Sequence, residues 1–472
     1  MKDSAAAAAT KASDLMLTLS GIILGMMMVM LDSTAMNVAI PRLSEDFHAS
    51  FQTLQWAITG YMLAMSASIP LSGWFSDCIG ARNAFLACVI SFMLGSLLCS
   101  FAQTAEQLIA YRVIQGLGGG MIQPIGMAIA FRLSPEGSKG KVMGLLGIPM
   151  LLAPASGPVL SGFMLEFGAW QWIFLINLPI GAIALAAGMR YLKNSGIQPG
   201  ATLDLIGVVL GLAAFVLITL GIDEMGQAGI LASLKVLLPG MVLLLLFVRN
   251  ELRIHNPIME LRAFRSASFR RGVTVSWVQY VALNGSIVFI PQLLQKIMGS
   301  SPLESGLFMS VLALTSGGLM PLSGRIFDRF GIRIPAFSGL LIIALALMLL
   351  SGLGDGDSPS LILAVIALLG SGMGLSMMSL NTYILQSAPP DLISRVTPLT
   401  SASAQVVISF AIAGLGAFLN MRSIANNAAG NLSPAAESAA AYGDTFLLAA
   451  GIAAVGALIS LGLRKEPDKR KH

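Results

Sequence analysis

Long apolar runs alternate with short polar segments along almost the whole chain, and this alternation predicts its secondary structure. A bilayer core of about 30 Å is crossed by roughly 20 apolar residues in a helix. Measured against that length, the sequence predicts an all-α polytopic membrane protein with fourteen transmembrane helices. The first apolar run is too long for a signal peptide and has no small-residue cleavage site behind it, so we expect it to remain as a span. The predicted spans cover residues 15–38, 54–74, 84–103, 107–131, 141–165, 171–192, 203–222, 231–249, 271–294, 303–324, 335–353, 359–386, 398–420 and 443–463.

A ten-residue motif occurs twice, in two loops that are equivalent in the predicted topology. GWFSDCIGAR spans residues 73–82, and GRIFDRFGIR spans residues 324–333, which lie 251 positions later. Both loops join the second and third helices of a set of six, which indicates two parallel halves related by an axis along the membrane normal. The Asp of each motif can bind a helix N-terminus and pair with Arg, forming a latch at the inner face. The repeated residues are Gly73, Asp77, Gly80 and Arg82, matched by Gly324, Asp328, Gly331 and Arg333.

Composition and charge support a membrane protein. Hydrophobic residues make up 56% of the 472 residues and charged residues only 11%, whereas soluble proteins carry about 25% charged residues. With both termini placed in the cytoplasm, 23 of the 28 lysines and arginines fall on the cytoplasmic side, four fall on the opposite side, and Arg112 lies within a span. Cytoplasmic loops of membrane proteins carry such an excess of basic residues. The net charge of +5 therefore indicates membrane topology rather than nucleic-acid binding.

Asp32 interrupts the first predicted span, after sixteen residues (15–30) that carry no charge. An ionisable group at the centre of a membrane helix costs about 2.5–3.5 kcal/mol on insertion scales, so its presence indicates a function. Met28 and Met36, four positions before and after it, share its helical face and make that face apolar. Unlike Asn or Ser, a carboxyl can take up a proton on one side of a membrane and release it on the other. We therefore predict that Asp32 carries protons; the alternative is a structural bond to a neighbouring helix.

Arg112 is the second charge within the predicted spans, and a polar stripe follows it. Gln115 and Gln123 lie on one face of the fourth predicted span, with glycines between them. Arginine remains charged in proteins, so Arg112 needs an acceptor. We predict that it acts on the proton affinity of Asp32, directly or through water; pairing with carbonyls at a helix end is the alternative. Leu363 occupies the matching position of the second half, so proton handling is predicted for the first half.

Small residues recur along one face of the fifth predicted span. Ala153, Gly157 and Ser161 are spaced four positions apart, with Pro158 and Gly162 beside them in the sequence APASGPVLSG. Small side chains at this spacing let two membrane helices approach closely, and a proline adds a kink. Ordinary close packing is the alternative to a functional role, and it is compatible with one.

Methionines and neutral polar residues supply the candidates for a substrate cavity. The chain has 27 methionines, whose flexible side chains suit a cavity that binds varied lipophilic molecules. The alternatives are core or lipid-facing packing for the methionines and interhelical hydrogen bonds for the polar residues. The three cysteines and three histidines are scattered without metal-ligand spacing, so no metal site is predicted. The cavity candidates are Met28, Met36, Gln55, Trp56, Tyr61, Gln115, Gln123, Asn177, Gln279, Asn284, Asn381 and Gln405.

Taken together, these motifs resemble those of the major facilitator superfamily, and specifically of the fourteen-span branch of its drug:proton antiporters. LDSTAMNVAIP (31–41) is similar to the first-span motif of that branch, and LIAYRVIQGLGGG (108–120) to its fourth-span motif. APASGPVLSG (153–162) resembles the fifth-span antiporter motif, and WQWIFLINLPIG (170–181) resembles the start of the sixth span. The resemblance covers essentially the whole chain.

This resemblance implies two six-helix bundles with two additional helices between them and both termini in the cytoplasm. Spans 7 and 8 are the pair that the fourteen-span branch inserts between its halves. The implied regions are an N-terminal tail 1–14, a first bundle 15–195, two additional helices 196–250, a second bundle 251–463 and a basic tail 464–472.

The resemblance also implies proton-coupled export of lipophilic, in some cases cationic, drugs or toxic compounds by alternating access in the bacterial cytoplasmic (inner) membrane. The proton motive force is the expected energy source and no cofactor is expected; the sequence contains no GxxxxGK[ST] phosphate-binding motif. The expected partners are the lipid bilayer, protons and small lipophilic molecules, not nucleic acid, and partners in a tripartite efflux assembly stay open. Two alternatives are left: a proton symporter that imports a nutrient, and a non-transporting membrane receptor or enzyme.

Overall fold

The computed structural model describes residues 2–167, 169–193, 204–227, 230–254, 257–300, 302–354, 357–389, 392–429 and 434–463. In these ranges the regular secondary structure is helical, with no β-strand. Two short 3₁₀ turns, Ile69–Leu71 and Leu261–Arg265, separate α2 from α3 and precede α11. The helices are α1 (Lys2–Asp46), α2 (Phe51–Ser68), α3 (Ser72–Ile79), α4 (Ala81–Ser100), α5 (Ala105–Leu133), α6 (Lys139–Phe167), α7 (Trp172–Leu175), α8 (Asn177–Tyr191), α9 (Leu205–Gln227), α10 (Ile230–Arg253), α11 (Ala267–Ile287), α12 (Ile290–Lys296), α13 (Pro302–Phe330), α14 (Arg333–Ser351), α15 (Pro359–Gln386), α16 (Ile393–Ala429) and α17 (Pro434–Ser460).

Each predicted span coincides with one of these helices or with two that follow each other closely. Within the described residues, eleven helices are long and apolar enough to cross a membrane, which confirms the all-α polytopic class. The predicted spans 54–74, 141–165 and 203–222 are not among the eleven. The first of these is divided by the turn at Ile69–Leu71, and the third contains a shorter apolar helix, Ile206–Gly221. The number fourteen and the cytoplasmic position of the termini stay predictions.

Local sequence signals explain where several helices begin. Ser50 and Thr104 cap α2 and α5, because each side chain accepts a hydrogen bond from the backbone N–H three residues further on. The predicted tail 1–14 is already helical from Lys2 onward and forms the first part of α1. Its five consecutive alanines at 5–9 have the highest helix propensity of any residue, so the helix extends beyond the apolar run.

The repeated loop motif has the same backbone geometry in both copies. Gly80 follows α3 and Gly331 follows α13, and both have a left-handed φ, 85° and 83° respectively. Glycine adopts this conformation without the steric penalty that a Cβ atom brings. The tight turn between the second and third helices of each set therefore depends on this pair of glycines.

The helices form two sets with the same packing pattern, here named the first half (α1–α8) and the second half (α11–α17). In the first half, α1 packs against α6 and α8, α4 packs against α5 and α8, and α2 packs against α5. In the second half, α11 packs against α16 and α17, α14 against α15 and α17, and α13 against α15. This repetition is the packing expected of the two parallel halves indicated by the loop motif.

The halves meet at two interfaces, and the inserted helices α9 and α10 lie beside the halves. α6 packs against α13 and α15, while α16 packs against α3 and α5. α9 and α10 pack against each other, and α9 also contacts α2 and α16, one helix from each half. The pair α9–α10 is therefore placed at the seam, where it can respond to movement of one half against the other.

Candidate functional site

Asp32 of α1 and Arg112 of α5 form an ion pair inside the first half. Arg112 Nη1 lies 2.5 Å from Asp32 Oδ2, and the exposed fractions of the two side chains are 1% and 0%. The acceptor that Arg112 was predicted to need is thus the Asp32 carboxylate itself. In surroundings this dry the two charges interact much more strongly than in water, so a proton on Asp32 changes the forces on Arg112 directly.

Two amide side chains complete the shell of donors around Asp32. Gln115 Nε2 and Asn177 Nδ2 donate to Asp32 Oδ1 at 3.0 and 2.9 Å. The same two amides donate to Ser96 Oγ at 2.6 and 3.1 Å, and Arg112 Nη1 also donates to Gln115 Oε1 at 2.6 Å. The carboxylate therefore receives donors from α5 and α8, while Ser96 of α4 holds both amides in place. The arrangement satisfies a charged Asp32, and a proton there would remove the negative charge that strengthens these three hydrogen bonds.

Arg112 has contacts of its own that do not depend on Asp32. Its Nε donates to the backbone carbonyl of Ala57 at 3.3 Å, and its guanidinium carbon lies 3.9 Å from the ring centroid of Tyr61. The ring of Phe174 is 5.8 Å away. Cation–π contacts in a desolvated site hold a guanidinium in place. Arg112 therefore keeps a carbonyl and an aromatic face when the charge on Asp32 is removed.

A central cavity of about 500 Å³ lies between the two halves. Four of the predicted candidates, Gln123, Asn284, Asn381 and Gln405, line it. Its polar side chains come mostly from the second half: Gln123 belongs to α5, whereas Tyr280, Asn284, Asn381, Thr397, Thr400, Ser401 and Gln405 belong to α11, α15 and α16. Methionines of both halves form much of the apolar wall, namely Met30, Met65, Met127, Met309, Met320, Met373, Met377 and Met378.

Several of the predicted cavity candidates do not line this cavity. Met28 and Met36 are buried in apolar clusters, because residues four positions from Asp32 share its inward face. Trp56 is 51% exposed on the outer surface of α2, away from the cavity.

The remaining candidates make hydrogen bonds or contacts within one half. Gln115, Asn177 and Tyr61 belong to the network around Asp32 and Arg112, not to the cavity lining. Gln279 is buried and donates to Ser376 Oγ at 2.6 Å. The surroundings of Gln55 lie outside the described residues. Sequence reasoning did not select Ser96, because nothing in the pattern separates it from the other serines of the spans.

The Asp32–Arg112 pair and the cavity are neighbours on the same helices. Met30 lines the cavity two residues before Asp32 on α1, and Gly120 and Gln123 line it further along α5 from Arg112. Asp32 itself borders a separate pocket of about 10 Å³ against α6 and α7, which is roughly the space of one water molecule. Displacement of α5 relative to α1 would therefore alter the cavity wall as well as the ion pair.

The small residues of α6 bring α6 and α1 together next to Asp32. A Cβ atom on Gly157 would overlap Thr34 Oγ1 and lie 3.1 Å from the carbonyl oxygen of Leu31. Ser161 Oγ donates to the carbonyl of Ala35 at 2.9 Å. Ala153 is also buried, while the surroundings of Pro158 and Gly162 lie outside the described residues. The predicted close approach of two helices is thus found between α6 and the residues that flank Asp32.

The first copy of the loop motif joins the two halves through Asp77, an arrangement named here the first latch. Arg395 Nε lies 2.9 Å from Asp77 Oδ2, and Ser394 Oγ donates to Asp77 Oδ1 at 3.1 Å. Both partners belong to the first turn of α16. Arg82, the basic residue of the motif, donates instead to the carbonyl of Met189 at 2.6 Å. The partner of Asp77 was beyond reach of the sequence, since Arg395 follows 318 positions later.

The second copy repeats the arrangement through Asp328, named here the second latch. Asp328 accepts the backbone N–H groups of Gly140 and Lys141 at 2.8 and 3.0 Å, at the start of α6. The backbones of Gly140 and Gly324 touch, so that neither position has room for a Cβ atom. Arg333 Nε donates to the carbonyl of Leu463 at 3.0 Å. Each motif Asp therefore binds the first turn of a helix of the other half, α16 for Asp77 and α6 for Asp328, where a negative charge is favoured.

Comparison with known proteins identifies relatives over most of the chain. The sequence model of the Major Facilitator Superfamily matches residues 22–414. A "Multidrug resistance protein B homolog" of Mycobacterium tuberculosis is 34% identical over 399 residues, which cover 81% of this chain and 72% of that protein. A "Putative multidrug resistance protein MdtD" of Pectobacterium atrosepticum is 31% identical, covering 84% and 85%. The "Lincomycin resistance protein LmrB" of Listeria innocua is 28% identical, covering 92% and 93%.

Solved structures share the fold at low sequence identity. The crystal structure of the human organic anion transporter MFSD10 matches with a TM-score of 0.63 and 14% identity, over 94% of this chain and 99% of that one. The proton:xylose symporter XylE matches with a TM-score of 0.63 and 15% identity, over 93% and 95%. These matches confirm the fold that the sequence motifs predicted.

Proposed function

The chain belongs to the major facilitator superfamily of transporters, and from that premise we propose that it exports lipophilic, in some cases cationic, compounds in exchange for protons. It is a multi-pass protein of the bacterial inner membrane. The observation that carries the proposal is the buried Asp32–Arg112 pair. It lies on α1 and α5, two helices that also line the methionine-rich cavity. The names of its relatives, which refer to multidrug and lincomycin resistance, support export as the direction of transport.

The exchange begins with a proton that reaches Asp32 from the outer side. Protonation removes the negative charge that Arg112 Nη1 contacts at 2.5 Å. Arg112 then retains the carbonyl of Ala57 and the ring of Tyr61, both on α2. The balance of contacts that holds α5 thus shifts from α1 towards α2, and α5 carries Gln123 in the cavity wall. Release of the proton on the inner side restores the ion pair and resets the cavity.

The proton motive force is large enough for this task. One proton that enters down about 100 mV releases roughly 2.3 kcal/mol, and each pH unit adds about 1.4 kcal/mol. Together they support a concentration ratio of roughly a few hundredfold for a neutral substrate exchanged one for one.

Transport by Asp32→Asn in everted membrane vesicles tests the proposal. Asparagine can fill the same space and accept the same amide donors, but it does not titrate, so we expect a folded and inserted protein without proton-driven uptake of lipophilic dyes. Asp46→Asn is the matched control, because Asp46 lies on the same helix near its exposed end and pairs with Arg42. Wild-type dye uptake by Asp32→Asn at equal expression would refute proton coupling through Asp32. Proton-driven loss of dye from preloaded vesicles would indicate import instead of export.

A further inference from the structure

Three acidic residues occur at one end of the inserted pair α9–α10, away from Asp32, and two of them bring their carboxyl groups together. Asp204 immediately precedes α9, Glu251 lies in the last turn of α10, and Glu260 lies in the segment that follows α10. Glu251 and Glu260 are only 1% and 6% exposed. Carboxyl groups are seldom fully buried unless they are paired, so the charge state of these two glutamates needs an explanation.

Asp204 and Glu251 point their carboxyl oxygens at the same place. A Cβ atom on Gly207 would lie 2.8 Å from Glu251 Oε1 and closer still to Asp204 Oδ2. The two oxygens are therefore neighbours across the space that this glycine leaves open. Asn250 Nδ2 donates to Asp204 Oδ2 at 2.5 Å, which fixes the orientation of that carboxyl.

One oxygen of each buried glutamate has no hydrogen-bond donor among the described residues. Glu251 Oε2 accepts the backbone N–H of Met259 at 2.9 Å, but its Oε1 is unpartnered, as is Oε1 of Glu260. An ionised carboxylate in this position would lack the donors that buried charges require. A proton on Glu251 Oε1 removes the charge and creates an O–H donor next to the Asp204 carboxyl.

The charged side chains described around Glu251 also favour its protonated, uncharged state. The charged side chains on the segments that meet here are Asp204, Arg249, Arg253, Glu260, Arg262, Arg265 and Arg395. Among these described residues, no arginine forms an ion pair with Asp204, Glu251 or Glu260. Arg262 donates to the carbonyl of Ile254 at 2.8 Å. Arg395 pairs with Asp77 at 2.9 Å in the first latch. Two adjacent carboxyls without a cation between them cannot both ionise cheaply. The described acids are not grouped as three or more ligands around one point, as a metal ion requires.

We propose that Asp204 and Glu251, with Glu260 beside them, form a second proton-binding site that is separate from the Asp32 network. The ligand is a proton shared between the Asp204 and Glu251 carboxyls.

The site is connected to the first latch by the segment after α10. Glu251 holds the backbone N–H of Met259, and the next residue, Glu260, donates its own backbone N–H to the carbonyl of Arg395 at 3.4 Å. A Cβ atom on Gly73 would lie 3.3 Å from Arg395 Cα and 3.4 Å from the carbonyl oxygen of Ile258. Loss of the proton would set negative charges against each other and loosen this segment. Ionisation of the site is thereby coupled to opening of the first latch.

Infrared spectroscopy of the carboxylic acid C=O stretch tests the proton site in the Asp32→Asn background, where Asp32 does not contribute. We expect a titrating band that persists in Asp32→Asn and disappears in Asp32→Asn/Glu251→Gln. Glu45→Gln in the same background is the control, since the Glu45 side chain is 73% exposed, and it should leave the band unchanged. A band that survives Glu251→Gln would overturn the proposal. Asp204→Asn serves as a second variant if Glu251→Gln does not fold; it should shift the pH at which the band titrates, and an unchanged titration would count against a shared proton.

The coupling to the latch is measured with the natural thiol of Cys78, next to Asp77. Burial and the adjacent Asp77 carboxylate raise the pKa of the Cys78 thiol, so it reacts slowly with maleimide near neutral pH. In the wild type, raising the pH on the inner side should accelerate labelling beyond the increase expected from the thiolate fraction. The side chain at position 251 stays uncharged at every pH in Glu251→Gln. The labelling rate of this variant should therefore rise only as much as the thiolate fraction of Cys78 rises. Identical pH profiles in the two proteins would exclude the coupling.

Discussion

At the scale of single residues, the position of Asp32 is defined by what surrounds it. An isolated carboxylate at a helix centre costs about 2.5–3.5 kcal/mol, and here one guanidinium and two amides offset that cost. A carboxylate with so complete a shell is stable when charged, and its neutralisation disturbs three partners at once. A change in the charge of Asp32 would therefore act on α5 and α8 together.

Replacing Arg112 should separate substrate binding from energy coupling. Arg112→Leu removes the cation while leaving the Asn177 amide on Asp32, and we expect dyes still to bind and to equilibrate across the membrane. Accumulation against a gradient should fall from roughly a few hundredfold to about one, because Asp32 no longer forms an ion pair with α5 and keeps only the neutral amide of Gln115 there. Uptake into vesicles with an imposed pH gradient measures this ratio. Arg132→Leu, an exposed arginine at the end of the same helix, is the control, and unaltered accumulation in Arg112→Leu would contradict the assigned role.

The charged members of this site were predictable and the neutral ones were not. Asp32 and Arg112 stand out because charges within apolar spans are rare and costly. Ser96, Gln115 and Asn177 are neutral polar residues, which membrane helices use in many interhelical bonds. Their convergence on Asp32 depends on how α4, α5 and α8 pack, and helical periodicity alone does not determine that packing.

At the scale of helices, the two latches determine how the halves meet at the predicted inner face. Both use an Asp in the last turn of the helix that precedes the glycine turn (α3 or α13) and the first turn of the fifth predicted span of the other half (α16 or α6). They differ in chemistry, because the first includes an ion pair with Arg395 and the second uses backbone N–H groups. The motif predicted a latch, and the structure adds that each latch crosses between halves.

Weakening the first latch should expose the loop next to it. Arg395→Gln removes the ion pair with Asp77, and we expect maleimide labelling of Cys78 to accelerate about tenfold, equivalent to roughly 1.4 kcal/mol and within the range of coupled neighbours. Loss of the Arg395 cation by itself would disfavour the Cys78 thiolate and slow labelling. Faster labelling would therefore report opening of the first latch. Arg82→Gln is the control, since Arg82 bonds within the first half. Equal labelling rates in wild type and Arg395→Gln would show that the ion pair does not hold the latch closed.

The contact between α1 and α6 should be intolerant of a single methyl group. Gly157→Ala places a Cβ atom against Thr34 Oγ1, and overpacking of this kind costs about 1–3 kcal/mol. The expected result is a lower thermal unfolding temperature in detergent, partly restored by the additional change Thr34→Ala. Gly414→Ala is the matched control, because nothing lies within 4 Å of the added atom on α16. Equal destabilisation by both alanine variants would mean that the close approach is not what Gly157 provides.

At the scale of the whole molecule, the membrane class and the repeat of two halves could be predicted from the sequence. The contacts at the seam between the halves could not. Apolar run lengths predict membrane helices because the bilayer thickness fixes their length. The matching packing pattern of the two halves follows from the duplicated loop motif. The contacts of α9 with α2 and α16 could not be predicted, since they join segments that are distant in the chain and lack a shared periodicity.

The methionine wall of the cavity should control the range of substrates rather than the coupling. Met373→Ile combined with Met30→Ile replaces two flexible side chains of opposite halves with branched, stiffer ones. We expect fewer compounds in a drug and dye panel to be exported, with proton-driven transport of at least one small substrate retained. Met28→Leu, which changes a methionine buried away from the cavity, should leave the panel unchanged. An unaltered panel in the double variant would show that these methionines do not select substrates.

The uneven lining of the cavity separates two tasks between the duplicated halves. The half that holds Asp32 contributes Gln123 as its polar lining side chain, while seven polar lining residues belong to the other half. Under the proposed mechanism, mutations in the second half can therefore change which compounds the cavity accepts without altering the Asp32–Arg112 pair of the first half. The range of exported compounds could then broaden in steps under this proposal, since each such mutation leaves the ion pair intact.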